Sequence, residues 1–232
     1  FNRHPWRQPF ENVWASRWDL GGRERPFFTL EEKDRTVHRV QYNPQIGNDF
    51  RAVYAYDPPD FIPYMPICSD LMIRCWPQMN AESGLGYELG KYGRRYQGWL
   101  HGDGRMEIVK IGAGEERTIL AEGAAETKDF FQRKEFRFFL ADHQLVLEYG
   151  QTKLIYDLGR GVEDAGTERH IWPEAAILGY GTVRIFHIGL FRDIYYMNTD
   201  VSDPQRPILQ GGEGNPVFLE EGPRRRLGKR EL

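Results

Sequence analysis

The feature that most constrains this chain is a period of two. From about residue 36 to 200, apolar side chains recur at every second position in short runs separated by glycine-bearing turns. Leu71, Ile73 and Cys75 alternate with Met72 and Arg74; Leu85, Tyr87 and Leu89 alternate with Gly86 and Glu88. Strand side chains point to opposite faces in turn, so such a run buries one face and leaves the other outward. Further runs follow at Tyr96–Leu100, Met106–Ile111, Phe136–Leu140, Gln144–Tyr149, Thr152–Tyr156 and Ala175–Tyr180, then Val183–Phe191 and Ile194–Tyr196. The run 183–191 is apolar at both parities and is expected inside a sheet rather than at its edge. Gly90–Gly93, His101–Gly104 and Gly150-Gln151 separate neighbouring runs, and glycine supplies the positive φ that tight hairpins need. The pattern predicts an all-β fold, either two packed antiparallel sheets or a closed barrel, with an antiparallel two-sheet β-sandwich favoured. One helical turn is expected around Ala124 to Phe131, where Glu126, Lys128 and Asp129 flank apolar positions.

Three segments are expected. Residues 1–35 carry Trp6, Phe10, Trp14, Trp18, Phe27 and Phe28 among prolines and glycines with no sustained period, and read as an aromatic-rich lead-in docked on the sandwich. Residues 36–200 form the sandwich. Residues 201–232 are a Pro/Gly-rich tail ending in Arg224, Arg225, Arg226, Lys229 and Arg230. A chain of 232 residues has room for one large core. Its 40% hydrophobic and 28% charged content argues against disorder, and 31 basic against 34 acidic side chains give no bulk electrostatic footprint for nucleic acid. No apolar run approaches the roughly 20 residues of a membrane span. Phe1 opens no signal peptide, so the chain is expected to be a soluble piece of a longer protein. Cys68 and Cys75 stand seven residues apart on one extended run, about 23 Å if straight, and are read as two thiols.

Catalytic constellations are sparse. The serines are Ser16, Ser69, Ser83 and Ser202, and none sits in a nucleophile box. The Ser69 hydroxyl and Asp70 carboxylate are expected to cap a turn, with Cys68 as core filler. A sandwich glycosidase would set two carboxylates at alternate positions of one strand, and no strand carries them; Glu163-Asp164, Glu126 and Asp129 read as surface acids. The six histidines, His4, His38, His101, His143, His170 and His187, include no pair at i,i+2 or i,i+4, so no zinc site is expected. His101–Asp103 and Asp142-His143 have oxygens suited to Ca²⁺ but read as plain hairpin turns, and Gly112–Glu115 reads as a tight turn rather than a phosphate loop. No cofactor is implied. Trp99, Tyr87, Tyr92 and Trp76 are the candidate ligand-binding aromatics, joined by Tyr96 and Trp172, because aromatic faces beside polar groups bind the C–H surfaces of pyranoses. Core packing is the competing reading for Trp76 and Trp99.

Phe191-Arg192-Asp193-Ile194-Tyr195-Tyr196, following the strand Val183–Ile188, is similar to the end of the β-sandwich insert of long-insert bacterial signal peptidase I proteins. Trp6–Phe10 with Trp18, Ser69–Met72, Gly86–Leu89, Phe136–Phe138 with Leu145–Leu147, and Gly214–Leu219 resemble other parts of that insert in order. The resemblance implies a concanavalin-type, laminin-G-like jelly roll serving as a non-catalytic recognition or spacing module of a serine endopeptidase. The implied partners are the peptidase body, a secreted protein or a glycan, on the extracytoplasmic side of a bacterial membrane. The family's Ser-Met-x-Pro box and Lys-Arg strand have no counterpart here, so no catalytic residue carries over and catalysis is not expected of this chain. Arg192 and Asp193, pointing to opposite faces, are expected to anchor a turn or the lead-in. The alternatives are a carbohydrate-binding lectin-like module and a concanavalin-fold glycoside hydrolase.

Overall fold

The computed structural model describes residues 8–22, 24–47, 49–51, 67–126, 134–141, 143–159 and 172–192. The chain divides into two compact units, Phe1–Ala52 with Pro66–Asp193, and Val53–Met65 with Ile194–Leu232; every described residue belongs to the first. Among them are thirteen strands and no helix. They are β1 (Phe10–Asn12), β2 (Phe27–Glu31), β3 (His38–Tyr42), β4 (Leu71–Met79), β5 (Gly84–Lys91), β6 (Arg94–His101) and β7 (Arg105–Ile111). There follow β8 (Arg117–Ala124), β9 (Phe136–Ala141), β10 (Gln144–Tyr149), β11 (Thr152–Asp157), β12 (Glu174–Tyr180) and β13 (Thr182–Arg192). A seven-stranded sheet has the order β1-β3-β12-β5-β6-β7-β8, and a six-stranded sheet has β11-β10-β9-β4-β13-β2. Every pairing is antiparallel. This is a two-sheet jelly-roll sandwich, the two-layer arrangement favoured from the alternation over a closed barrel.

The predicted inward sets meet between the sheets. Leu85, Tyr87 and Leu89 of β5, Leu100 of β6 and Ile108 of β7 share one buried cluster with Ile73, Phe136, Phe138, Leu145 and Leu147 of the other sheet. Each such side chain contributes roughly 1.5–3 kcal/mol by leaving water. Turn chemistry follows the glycine signal. Tyr92 at φ 51° and Gly93 at φ 74° close the two-residue β5–β6 hairpin, with Lys91 opposite Arg94. Strand β13 lies inside its sheet, between β4 and β2, and its register shifts between Phe186 and Gly189, where His187 holds φ 51°.

The first 35 residues contribute a strand to each sheet, β1 beside β3 and β2 beside β13. Both are edge strands, whose hydrogen bonds need only one neighbour; three to five residues of alternation are too short a signal to read. Trp18 is buried and donates from Nε1 to the His38 carbonyl at 3.3 Å. A β-carbon on Gly179 would lie 2.5 Å from its ring. The expected helical turn begins at Ala124, which closes β8, and its remainder past Glu126 lies outside the described residues. Cys68 and Cys75 are both buried thiols. No helix among the described residues is long and apolar enough to cross a membrane.

Candidate functional site

The outward face of the seven-stranded sheet is chemically unlike an ordinary solvated face. On β6, Gln97, Trp99 and His101 alternate with Tyr96 and Leu100 of the core; on β5, Gly84, Gly86 and Glu88 alternate with Leu85, Tyr87 and Leu89. Register brings these together: Glu88 stands opposite Gln97, and Trp99 stands between Gly86 on one side and Glu107 on the other. Trp99, Val109, Ile111, Leu178 and Tyr180 form a second buried apolar cluster, separate from the core between the sheets.

Two glycines seat the rings. A β-carbon on Gly86 would lie 2.7 Å from the Trp99 indole, and one on Gly84 would lie 2.3 Å from the Tyr180 ring. The two rings are tilted with centroids 6.2 Å apart, and the His101 imidazole stacks on the indole at 5.9 Å.

Two carboxylates are buried on this face, each exposed by 2%. A buried carboxylate is costly unless paired, and both are. Glu88 accepts from Arg39 Nη1 at 2.8 Å and from Gln97 Nε2 at 2.6 Å, with Arg95 Nη1 at 3.8 Å. Gln97 Oε1 in turn accepts from the Trp99 indole at 2.8 Å, and Arg39 also donates from Nη2 to Gln41 at 2.6 Å. Glu107 is paired with Arg105 and takes Arg117 Nη2 at 3.4 Å. The result is a buried carboxylate layer that orients guanidinium and carboxamide heads standing further out: the Arg39 side chain is 25% exposed and Arg117 53%.

His101 bridges the aromatic and acidic parts. Its Nδ1 is 2.8 Å from the Tyr180 hydroxyl, and its Nε2 faces Glu107 Oε2 at 3.7 Å with no hydrogen-bond partner among the described residues. A neutral ring with its proton on Nε2 meets the carboxylate favourably and leaves Nδ1 to accept from Tyr180. Burial, then Arg105, pushes the His101 pKa down to about 4, and burial raises that of Tyr180. A base that protonates near pH 4 and a phenol harder to ionise than usual are poorly matched to proton transfer at neutral pH. Glu88 and Glu107 stand two strands and two residues apart, about 12 Å between backbones. Each carboxylate already pairs with arginine, which holds it charged and engaged rather than free to act as a general acid.

The four candidate aromatics do not converge. Trp99 belongs to this face. Tyr87 is fully buried between the sheets, stacked on Phe136, with its hydroxyl 2.9 Å from Cys75 Sγ. Tyr92 sits in the β5–β6 turn and accepts from Ser69 Oγ at 3.0 Å. Trp76 lies on the outward face of the other sheet, edge-on to His187 at 5.6 Å with Arg74 over it at 5.4 Å. Tyr96 is core, and Trp172 is 38% exposed under Arg51. Ser69 Oγ donates to the Tyr92 hydroxyl, and the Lys91 ammonium is engaged by Asp70 at 2.5 Å, a pairing that keeps it charged and unsuited to act as a base. Asp103 accepts the Arg105 amide at 3.0 Å and Gly114 donates to Glu116 at 2.8 Å, both within plain turns. No group of three or more metal-ligating side chains occurs among the described residues.

Of the Phe191 to Tyr196 signature, Phe191 is 41% exposed with Arg74 over its ring at 4.8 Å, and Arg192 ends β13 opposite Leu71. Both border a groove of 460 Å³ with Arg137, Phe139 and Glu148. Asp193, Ile194, Tyr195 and Tyr196 lie outside the described residues.

Glu88, Glu107, His101 and Tyr180 do not stand out as site residues in the sequence. Their carboxylates lie on different strands, and strands two apart in a sheet present the same face. His101 adjoins a turn, although its parity with Gln97 and Trp99 places it on their face.

No family model matches the chain, and no curated protein does. Solved structures with a similar arrangement include a GH43 protein, BlXynB, from Bacillus licheniformis, with TM-score 0.47 at 9% identity over 80% of this chain and 37% of that one. The VIP36 exoplasmic/lumenal domain in its Ca²⁺/Man-bound form gives TM-score 0.45 at 10% identity over 87% of this chain and 90% of that one. Alginate lyase A1-II′ gives 0.42 at 6% identity over 72% and 79%. None of these is a signal peptidase. The signal peptidase I resemblance is therefore corrected, and with it the peptidase body as implied partner. The text that carried it is alternating strand sequence, which any two-sheet jelly roll produces.

Proposed function

We propose that this β-sandwich is a non-catalytic saccharide-binding module whose site is the outward face of the seven-stranded sheet. One observation carries the reading: an indole seated on glycine beside planar hydrogen-bonding groups, Gln97 and Arg39 held from below by Glu88, with the half-exposed Arg117 head over the ring on a long contact to Glu107. Planar amide and guanidinium forks suit the adjacent hydroxyls of a sugar ring, and an aromatic face suits its C–H side. Preorganisation keeps the ordering cost of Gln97 and Arg39 out of the binding step. Trp99 itself is 4% exposed, so the ligand meets the polar heads first and reaches the indole where Arg117 swings aside. The weak acid–base match of His101 and Tyr180 favours binding over hydrolysis.

A glycan array followed by tryptophan-fluorescence titration of the hits tests this. Saturable binding lost in both Trp99→Ala and Gln97→Ala, each shown folded by circular dichroism, is the expected result. Binding to no saccharide, or binding indifferent to both substitutions, would refute it.

A further inference from the structure

The chain as a whole is slightly acidic, with a formal charge of −3, yet the aromatic pair at the centre of this face is bracketed by cations. Arg117 Cζ lies 6.0 Å over the Trp99 ring and Arg35 Cζ lies 5.9 Å over the Tyr180 ring. The corner holds three arginines, Arg35, Arg105 and Arg117, and three acids, Asp103, Glu107 and Glu122, so the question is which heads keep free donors. Around the Tyr180 hydroxyl, the charges that act are Arg35, Arg105 and Arg117 against Asp103. The nearby acids are already engaged or offset: Glu107 is shared by Arg105 and Arg117, and Asp103 caps its own turn. Glu122, opposite Glu107 in the β7–β8 ladder, is the remaining acid of this corner. Arg117 spends one contact, at 3.4 Å, on Glu107 and keeps a half-exposed head, and Arg35 makes no ion pair among the described residues. A guanidinium has five N–H donors in a planar fork, so both arginines retain donors matched to a planar or tetrahedral oxyanion.

We infer that the face selects anionic glycans, in which a carboxylate or a sulfate ester on the sugar is taken by Arg117 and Arg35 while the ring lies along Trp99 and Tyr180. This rests on the saccharide-binding reading and adds the charge of its ligand. Arginine rather than lysine at both ends of the pair is the informative choice, because a fork fixes the anion's orientation where an ammonium would only attract it. The carboxylate and sulfate sources share this chemistry and differ in geometry, so experiment separates them.

The test is titration of the full chain with three oligosaccharides of matched length: an oligogalacturonate, a sulfated galacto-oligosaccharide and the neutral galacto-oligosaccharide, with polyphosphate as a sugar-free polyanion. At least one anionic sugar is expected to bind tenfold or more tighter than the neutral one and to weaken as salt rises. Arg117→Gln and Arg35→Gln should each reduce that preference by threefold or more, while Arg117→Lys restores only part of it. Preference for the carboxylate or the sulfate sugar names the source. Equal binding of the neutral and anionic sugars would overturn the inference and leave the saccharide reading standing; binding of no sugar would remove both. Polyphosphate binding as tightly as the anionic sugars, and unaffected by Trp99→Ala, would show a general polyanion surface and overturn it too. Circular dichroism of each variant separates lost binding from lost fold.

Discussion

Gly86 leaves room for one ring: the indole of Trp99 crosses it so closely that a β-carbon would sit 2.7 Å from Cδ2. Gly86→Ala must therefore displace the indole or bend β5, and overpacking of this kind costs about 1–3 kcal/mol. We expect a lower melting midpoint with altered tryptophan emission. An unchanged midpoint and spectrum would mean that the indole does not rest there.

The buried pair Lys91–Asp70, 2.5 Å apart with side chains 4% and 1% exposed, closes the end of β5 against the start of β4. Lys91→Met leaves a carboxylate buried without its cation, a change that costs about 3–5 kcal/mol. Replacing both, Asp70→Leu with Lys91→Met, should recover much of that loss. Urea unfolding of the single and double variants checks this; equal stability of all three chains would contradict it.

The fold was legible where period two was long. Strands β4 to β7 and β9 to β13 follow from Leu71, Leu85, Tyr96, Met106 and their successors, because one-residue slips would turn every apolar side chain outward. Strands β1 and β2 were not legible, since their few residues are held by a neighbour and by Trp18 rather than by their own pattern. The site was half legible. Trp99 stood out by type, but its value comes from Gly86, Glu88, Glu107 and Tyr180, which three other strands bring to it. Parity tells which face a residue takes, whereas strand order tells which residues share it. Strand order is not written in local alternation.

Burial holds His101 neutral in the folded chain down to about pH 4, against roughly 6.5 when unfolded. Between these values the unfolded chain binds a proton that the folded one does not, so stability falls as pH drops from about 6.5 to about 4 and this contribution levels off below. The loss is on the order of 3 kcal/mol. Melting curves across that window should slope for the wild type and flatten for His101→Gln; parallel slopes would place the titration elsewhere.

Burial, opposed by the hydrogen bond from Tyr87, pushes the Cys75 thiol up to about 12. Thiolate is the reactive form, so Cys75 should resist alkylation in the native protein and react once urea unfolds it. Peptide mass spectrometry after iodoacetamide treatment reads this directly, and native-state labelling of Cys75 would contradict the packing described.

The central claim is that ligands meet the chain at Trp99, and the indole N–H resonance of that residue, assigned by its loss in Trp99→Phe, is the most direct witness. Adding a bound saccharide should shift this signal, now tied to Gln97 at 2.8 Å, in proportion to occupancy. A saccharide that binds yet leaves the Trp99 resonance in place while moving that of Trp76 would locate the site on the opposite sheet and contradict the account.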